Sequence, residues 1–203
     1  MTLKHKTSRE LYAYWDRIRE GNPAPRRSDI EPSDIRSILA DTFILETVDR
    51  SNSLIRLAGT RMCALYGREI KGQGFFDFWS EDDRPAIATL ATAVAEDGAG
   101  AVVSANLFAS RERQTHCEFL LLPLRHGGAA FDRILGSCAT FERPFWFGSE
   151  PIIHQRIASM RLIWPDSRPH FMRPFERRSP PPPVDRAGLR RHGHLFVLDG
   201  GKP

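Results

Sequence analysis

The sequence of 203 residues predicts an α+β domain built on a single antiparallel sheet. Three observations predict it. Strand-like runs come as two near the front and three further on, with a helical stretch between the groups. The last three are separated by turns too short for a crossover, which makes them an antiparallel meander. Their residues are apolar on both sides of the chain, so the sheet needs cover on both faces. A two-strand start, a helical insert and a three-strand finish belong to the α+β class.

The first element is a helix from Ser8, placed as its N-cap, to about Glu20. Leu11, Tyr14, Trp15 and Ile18 form its one apolar stripe, and Gly21-Asn22-Pro23 stops it. A helix this short is marginal alone in water, so the stripe must lie on the rest of the chain or on a second copy. A short helix from Pro32 follows, with Ile35, Ile38 and Leu39 on one side and Asp41 at its end.

Thr42 to Val48 and Leu54 to Ala58 then read as a hairpin. Gly59 opens a helical stretch to Tyr66, and Gly67 closes it. Lys71 to Gly74 is a loop, and Phe75 to Trp79 an aromatic cluster. Ser80 is placed as the N-cap of a long helix running to Asp97, with Glu81, Asp82 and Asp83 in a first turn that suits the helix dipole.

The three later strands span about Ala101 to Ala109, Gln114 to Leu124 and Ile134 to Phe141. In the second of these, Leu120, Leu122 and Leu124 oppose Cys117, Phe119 and Leu121. The helical insert is expected on one face and the N-terminal helix on the other. Pro144 to Phe147 is a second aromatic cluster, and Ile157 to Trp164 a further strand-like run. Pro180 to Pro183 is a polyproline run that cannot pack a core. His194 to Leu198 is strand-like and needs a docking edge.

The domain organisation expected is therefore an N-terminal helix over 1–21, a core domain over 22–165 and a basic Pro/Arg-rich tail over 166–203. The net charge of +4 lies wholly in that tail, where seven Arg and one Lys stand against four acids. Cys63, Cys117 and Cys138 form no CxxC pair, and an odd count in apolar contexts suits buried thiols in a reducing compartment. The charged N-terminus lacks the apolar region of a signal peptide, and no run is long enough for a membrane span. A cytoplasmic location is expected.

Leu11-Tyr-Ala-Tyr-Trp15, Pro32-Ser-Asp-Ile35 with Leu39-Ala-Asp41, and Arg56-Leu-Ala-Gly-Thr-Arg61 with Leu65-Tyr-Gly-Arg-Glu69 and Gly72 carry a resemblance. Together they resemble the standalone PAS proteins common in alphaproteobacteria, PAS family 5, over about residues 8–165. The resemblance implies a five-stranded PAS-like sheet with a helical insert and a flanking N-terminal helix. It also implies a sensory or regulatory role rather than catalysis, with a small molecule held between the inner sheet face and the insert.

Candidate ligand-binding residues are Tyr66, Phe76, Trp79, Asn106 and Phe108 as walls, with His116 and Glu118 as polar anchors. The stripe Leu11, Tyr14, Trp15 and Ile18 is the expected output or homodimer contact. Haem-binding relatives place a histidine on the long helix, and none lies between Ser80 and Asp97, which disfavours haem by that route. Arg61-Met-Cys-Ala-Leu65 does not match the cysteine motif of light-sensing flavin relatives, so a covalent flavin adduct is not expected. The cofactor stays unassigned: non-covalent flavin or a metabolite remains open.

No metal-ligand quartet is present, and His192 and His194 lack a third ligand. No GxSxG or phosphate-binding glycine motif points to an enzyme; Gly72-Gln-Gly74 reads as a turn. The alternative function is an adaptor whose Arg173, Arg177, Arg178, Arg186, Arg190 and Arg191, with Phe171 and Phe175 between, meet nucleic acid or another anionic surface.

Overall fold

A computed structural model of the chain describes residues 3–110, 112–127, 131–165, 190–192 and 195–197. It divides into two units, Met1–Ser167 and Arg168–Pro203. The first holds β1 (Thr42–Asp49), β2 (Asn52–Ala58), β3 (Gly100–Phe108), β4 (Gln114–Leu124), β5 (Arg133–Thr140) and β6 (His154–Ile163). They form one sheet in the order β2-β1-β5-β4-β3-β6, with every neighbouring pair antiparallel. The first five strands are the PAS-like set expected from the sequence. The strand-like run after Pro151 becomes the sixth, paired along β3 and beginning three residues earlier than expected.

Helix α1 spans Lys6–Ile18. Its N-cap is His5, whose ring nitrogen Nδ1 accepts from the Thr7 amide at 3.1 Å, so the expected cap at Ser8 is corrected. Ser8 sits inside the helix and is fully buried. The helix starts earlier because the buried Glu118 carboxylate holds the preceding chain, accepting from the Lys4 and His5 amides at 3.1 and 3.0 Å.

The stretch after Pro32 forms two 3₁₀ turns, Pro32–Ile35 and Leu39–Asp41. The insert contains α2 (Thr60–Leu65), a 3₁₀ turn at Phe75–Phe78 and α3 (Arg84–Asp97). The N-cap of α3 is Asp83, so the expected cap at Ser80 is corrected as well. Pro85 lies in the first turn, where its missing N–H costs nothing. The Ser80 hydroxyl instead donates to the Asp83 carboxylate at 2.8 Å. Gly98 closes the helix with φ +69°, the left-handed position that glycine takes without strain.

The sheet separates two cores. Phe43, Leu45, Val103, Ala105, Leu107, Cys117, Phe119 and Leu121 face the insert. Ile44, Val102, Leu120, Leu122, Leu124, Leu135 and Ile163 face α1 and the 3₁₀ turns. Gly136, paired with Phe43 on the neighbouring strand, leaves room for the Phe43 ring, which a Cβ there would run into.

The α1 stripe docks on the second core. Leu11 and Trp15 are fully buried and Tyr14 is 5% exposed, while Ile18 packs at the margin. The Trp15 indole donates to the Pro123 carbonyl at 2.8 Å. Of the two destinations the sequence leaves open for this stripe, the chain's own sheet is the one occupied here. Its apolar surface is already spent on the chain's own sheet.

In the second unit, Arg190–His192 and Leu195–Val197 pair as an antiparallel hairpin. The polyproline run, Phe171, Phe175, His194 and the arginines from Arg173 to Arg186 lie outside the described residues.

Candidate functional site

The insert lays a layer of aromatic rings on the inner sheet face. Alternation along β1 and β4 turns Phe43 and Phe119 towards it, and the tight turn Phe75–Phe78 delivers Phe75, Phe76 and Phe78, with Trp79 as its cap. Phe43 stacks on Phe75 at 5.5 Å, Trp79 tilts over Phe119 at 5.3 Å, and Tyr66 meets Phe78 at 4.5 Å between ring centroids. Such offset and edge contacts are the favourable ones for aromatic rings.

One polar spot interrupts this layer. Tyr66, fixed where α2 ends, donates its hydroxyl to the Gln155 Oε1 at 2.7 Å in a buried contact. Gln155 lies on β6 opposite Leu107, is fully buried and is bridged through its backbone to Trp79. Its amide nitrogen Nε2 and the Trp79 indole Nε1 are buried donors with no hydrogen-bond partner among the described residues. A buried donor left unsatisfied costs about 1–3 kcal/mol, so two on bridged residues are a notable concentration of unused capacity.

The titratable groups around this spot are neutral. Burial pushes the Tyr66 hydroxyl well above its ordinary range, and the nearby Cys138 and Cys117 thiols add to the shift. Burial, and then the hydrogen bond with Cys138, raise the Cys117 thiol in the same direction. Burial likewise raises the half-buried Cys63 thiol. A high thiol pKa suppresses the thiolate on which nucleophilic reactivity depends. The polar capacity left over in this apolar layer is hydrogen-bond donation.

Of the seven residues expected to line a ligand site, Tyr66, Phe76 and Trp79 lie in this layer. The other four lie on the opposite face. Asn106 and His116 are register partners, joined Oδ1 to Nδ1 at 2.6 Å. The far ring nitrogen of His116 meets the Ser104 hydroxyl at 3.3 Å. Glu118 anchors the chain before α1. Phe108 stacks on His154 at 4.8 Å. Their placement beside the insert is corrected by strand parity: even-numbered residues of β4 share the face of Leu120, which α1 covers. Gln155 was missed because the strand was begun at Ile157. The signal for it was its two-residue step from Ile157, which packs against the inner core.

A separate cleft of about 160 Å³ opens where the start of α1 meets α2 and the end of β5. It is lined by His5, Thr7, Asp41, Arg61, Leu65, Cys138, Ala139, Thr140, Arg143 and Phe147. Arg61 pairs with Asp41 at 3.2 Å. Burial pushes the Asp41 carboxyl above the ordinary carboxylate range, against the pull of Arg61, His5 and Arg143.

An antiparallel sheet with a helical insert on one face and a flanking helix on the other defines the PAS type of module. The model of the PAS domain family matches residues 3–139, and the chain belongs to that family. Among solved structures the chain is similar to an aspartate-to-glycine variant of RsLOV, at 16% identity over 70% of this chain and 72% of that one, with a TM-score of 0.41. It is also similar to the PAS domain of an HTR-like protein from Haloarcula marismortui, at 18% identity over 54% of this chain and 96% of that one, with a TM-score of 0.36. These likenesses concern the fold alone. No curated protein matches the chain. PAS domains are in general sensory, non-enzymatic modules.

Proposed function

We propose that the chain is a PAS sensory or regulatory module that takes a small ligand between the inner sheet face and the insert. The ligand is an apolar or aromatic molecule carrying a hydrogen-bond acceptor. The observation that carries this reading is the pair of unused buried donors, Trp79 Nε1 and Gln155 Nε2, beside the Tyr66–Gln155 hydrogen bond. The rings of Phe76, Phe119 and Trp79 would rearrange around a guest, as apolar sites with a few polar anchors do. Occupancy would bias the sheet, and α1 on the far face would respond. A ligand shifts such a balance only as far as it prefers one state. On this reading the chain is non-catalytic, works in the cytoplasm and divides at about residues 21 and 165.

Native mass spectrometry of the full chain, alongside its absorption spectrum, tests the reading. The expected result is a reproducible extra mass that Trp79→Phe reduces, because this change keeps a ring and deletes the donor. A clean unliganded mass, with no ligand found in a metabolite extract, overturns it.

The positive charge of the tail supports a second reading, an adaptor for nucleic acid or an anionic surface. Heparin retention that falls steeply with salt and disappears on truncation after Asp166 would support it. No retention at low salt would end it.

A further inference from the structure

Five of the ten residues lining the cleft at the start of α1 are strong hydrogen-bond donors, and Leu65, Cys138, Ala139, Phe147 and Asp41 make up the rest. Arg61 and Arg143 supply two guanidinium groups, and Thr7 and Thr140 supply hydroxyls. His5 accepts from the Thr7 amide through Nδ1. The one carboxylate on the wall, Asp41, is engaged by Arg61. Arg143 lies with its guanidinium over the Phe147 ring at 5.4 Å and has no hydrogen-bonded carboxylate among the described residues.

Thr7 is 7% exposed and lines the cleft, and no hydrogen bond of its hydroxyl to a described residue competes with a guest. Two arginines against one carboxylate leave a net positive charge. Arginine forks match planar oxyanions in particular.

We propose that this cleft binds a small oxyanion, a carboxylate or phosphate, between Arg143, Arg61 and the hydroxyls of Thr7 and Thr140. A cavity of about 150 Å³ holds a benzene-sized molecule, so a cleft of about 160 Å³ suits a compound of about four to seven non-hydrogen atoms. The bound anion ties the first turn of α1 to α2 and to the end of β5. It therefore reports to the N-terminal helix directly, through its first turn, and it does not depend on a ligand under the insert.

The test is calorimetric titration and thermal melting of the full-length protein in chloride-free buffer. The probes are inorganic phosphate in one arm and two- to four-carbon mono- and dicarboxylates in the other. The expected result is saturable binding of at least one probe with Kd below about 1 mM and a matching rise in melting temperature. Arg143→Ala and Thr7→Val should each weaken that binding about tenfold or more, the worth of one charge-assisted hydrogen bond. Arg143 is exposed, so its variant folds as the parent does and decides the matter if Thr7→Val does not. Saturation by phosphate alone or by carboxylates alone identifies the source of the oxyanion. No saturable binding up to about 10 mM, which corresponds to less than about 3 kcal/mol, overturns the proposal. So does binding that Arg143→Ala leaves unchanged.

Discussion

Asp41 and Glu118 show what burial does to two carboxylates with different partners. Glu118 takes two backbone amides into a fully enclosed position. Asp41 faces a single arginine at 3.2 Å and stays destabilised by burial, with its pKa raised. A carboxyl raised in the folded state stabilises fully below its unfolded value of about 3.9 and loses that contribution as pH rises through the folded value. Asp41→Asn, which never ionises, should therefore be more stable than the parent at pH 7, and the two should converge below about pH 4. Denaturant melts at both pH values check this. A variant weaker than the parent at neutral pH would mean that the Arg61 pair outweighs desolvation. Residue types were readable from the chain, but partners were not. Asn106 looked like a wall and His116 and Glu118 like anchors under the insert, and only knowing which parity α1 covers puts them on the far side.

At the scale of elements, the period-two runs gave five strands to within two residues at every boundary. Backbone pairing and side-chain alternation are both written locally. Helix starts were less legible, because tertiary contacts decide them: Glu118 holds the chain ahead of α1, and Pro85 resets α3. The α1 stripe was legible as apolar, but its destination was not, since a neighbour in the same chain and a second copy ask for the same residues. Burial of Trp15 against the sheet now gives a sharp expectation. Trp15→Ala should cost about 3–5 kcal/mol of stability while the native mass of the assembly stays the same. Melting curves and native mass spectrometry read the two effects separately. A change in assembly with little loss of stability would show that the stripe serves a partner instead.

For the molecule as a whole, the sheet is a sandwich filling between two unlike covers. The centre, β5-β4-β3, is enclosed on both faces, whereas β2 and β6 form the edges. The exposed residues on β6 are Arg156 and the run from Ala158 to Leu162. Amide hydrogen exchange should follow this map, with Phe119 to Leu122 of β4 opening only on global unfolding and β2 and the later half of β6 exchanging sooner. Uniform protection across the sheet would contradict it. The layered plan was legible from the two-faced apolar strands. The cleft between α1, α2 and β5 was not, because it is made by three segments that are distant in the chain.

The bond from the Glu118 carboxylate to the Lys4 amide closes a separation of 114 residues. Helix α1 leaves the ribosome well before β4 and β5, so its seat on them does not exist until most of the domain has been made. Contacts this distant form late and slow the approach to the native state. During that interval Leu11, Tyr14 and Trp15 travel uncovered, as the kind of apolar stretch that draws chaperones and aggregation. The segment that completes the outer face is thus synthesised ahead of the strands that shelter it and is among the last to be protected.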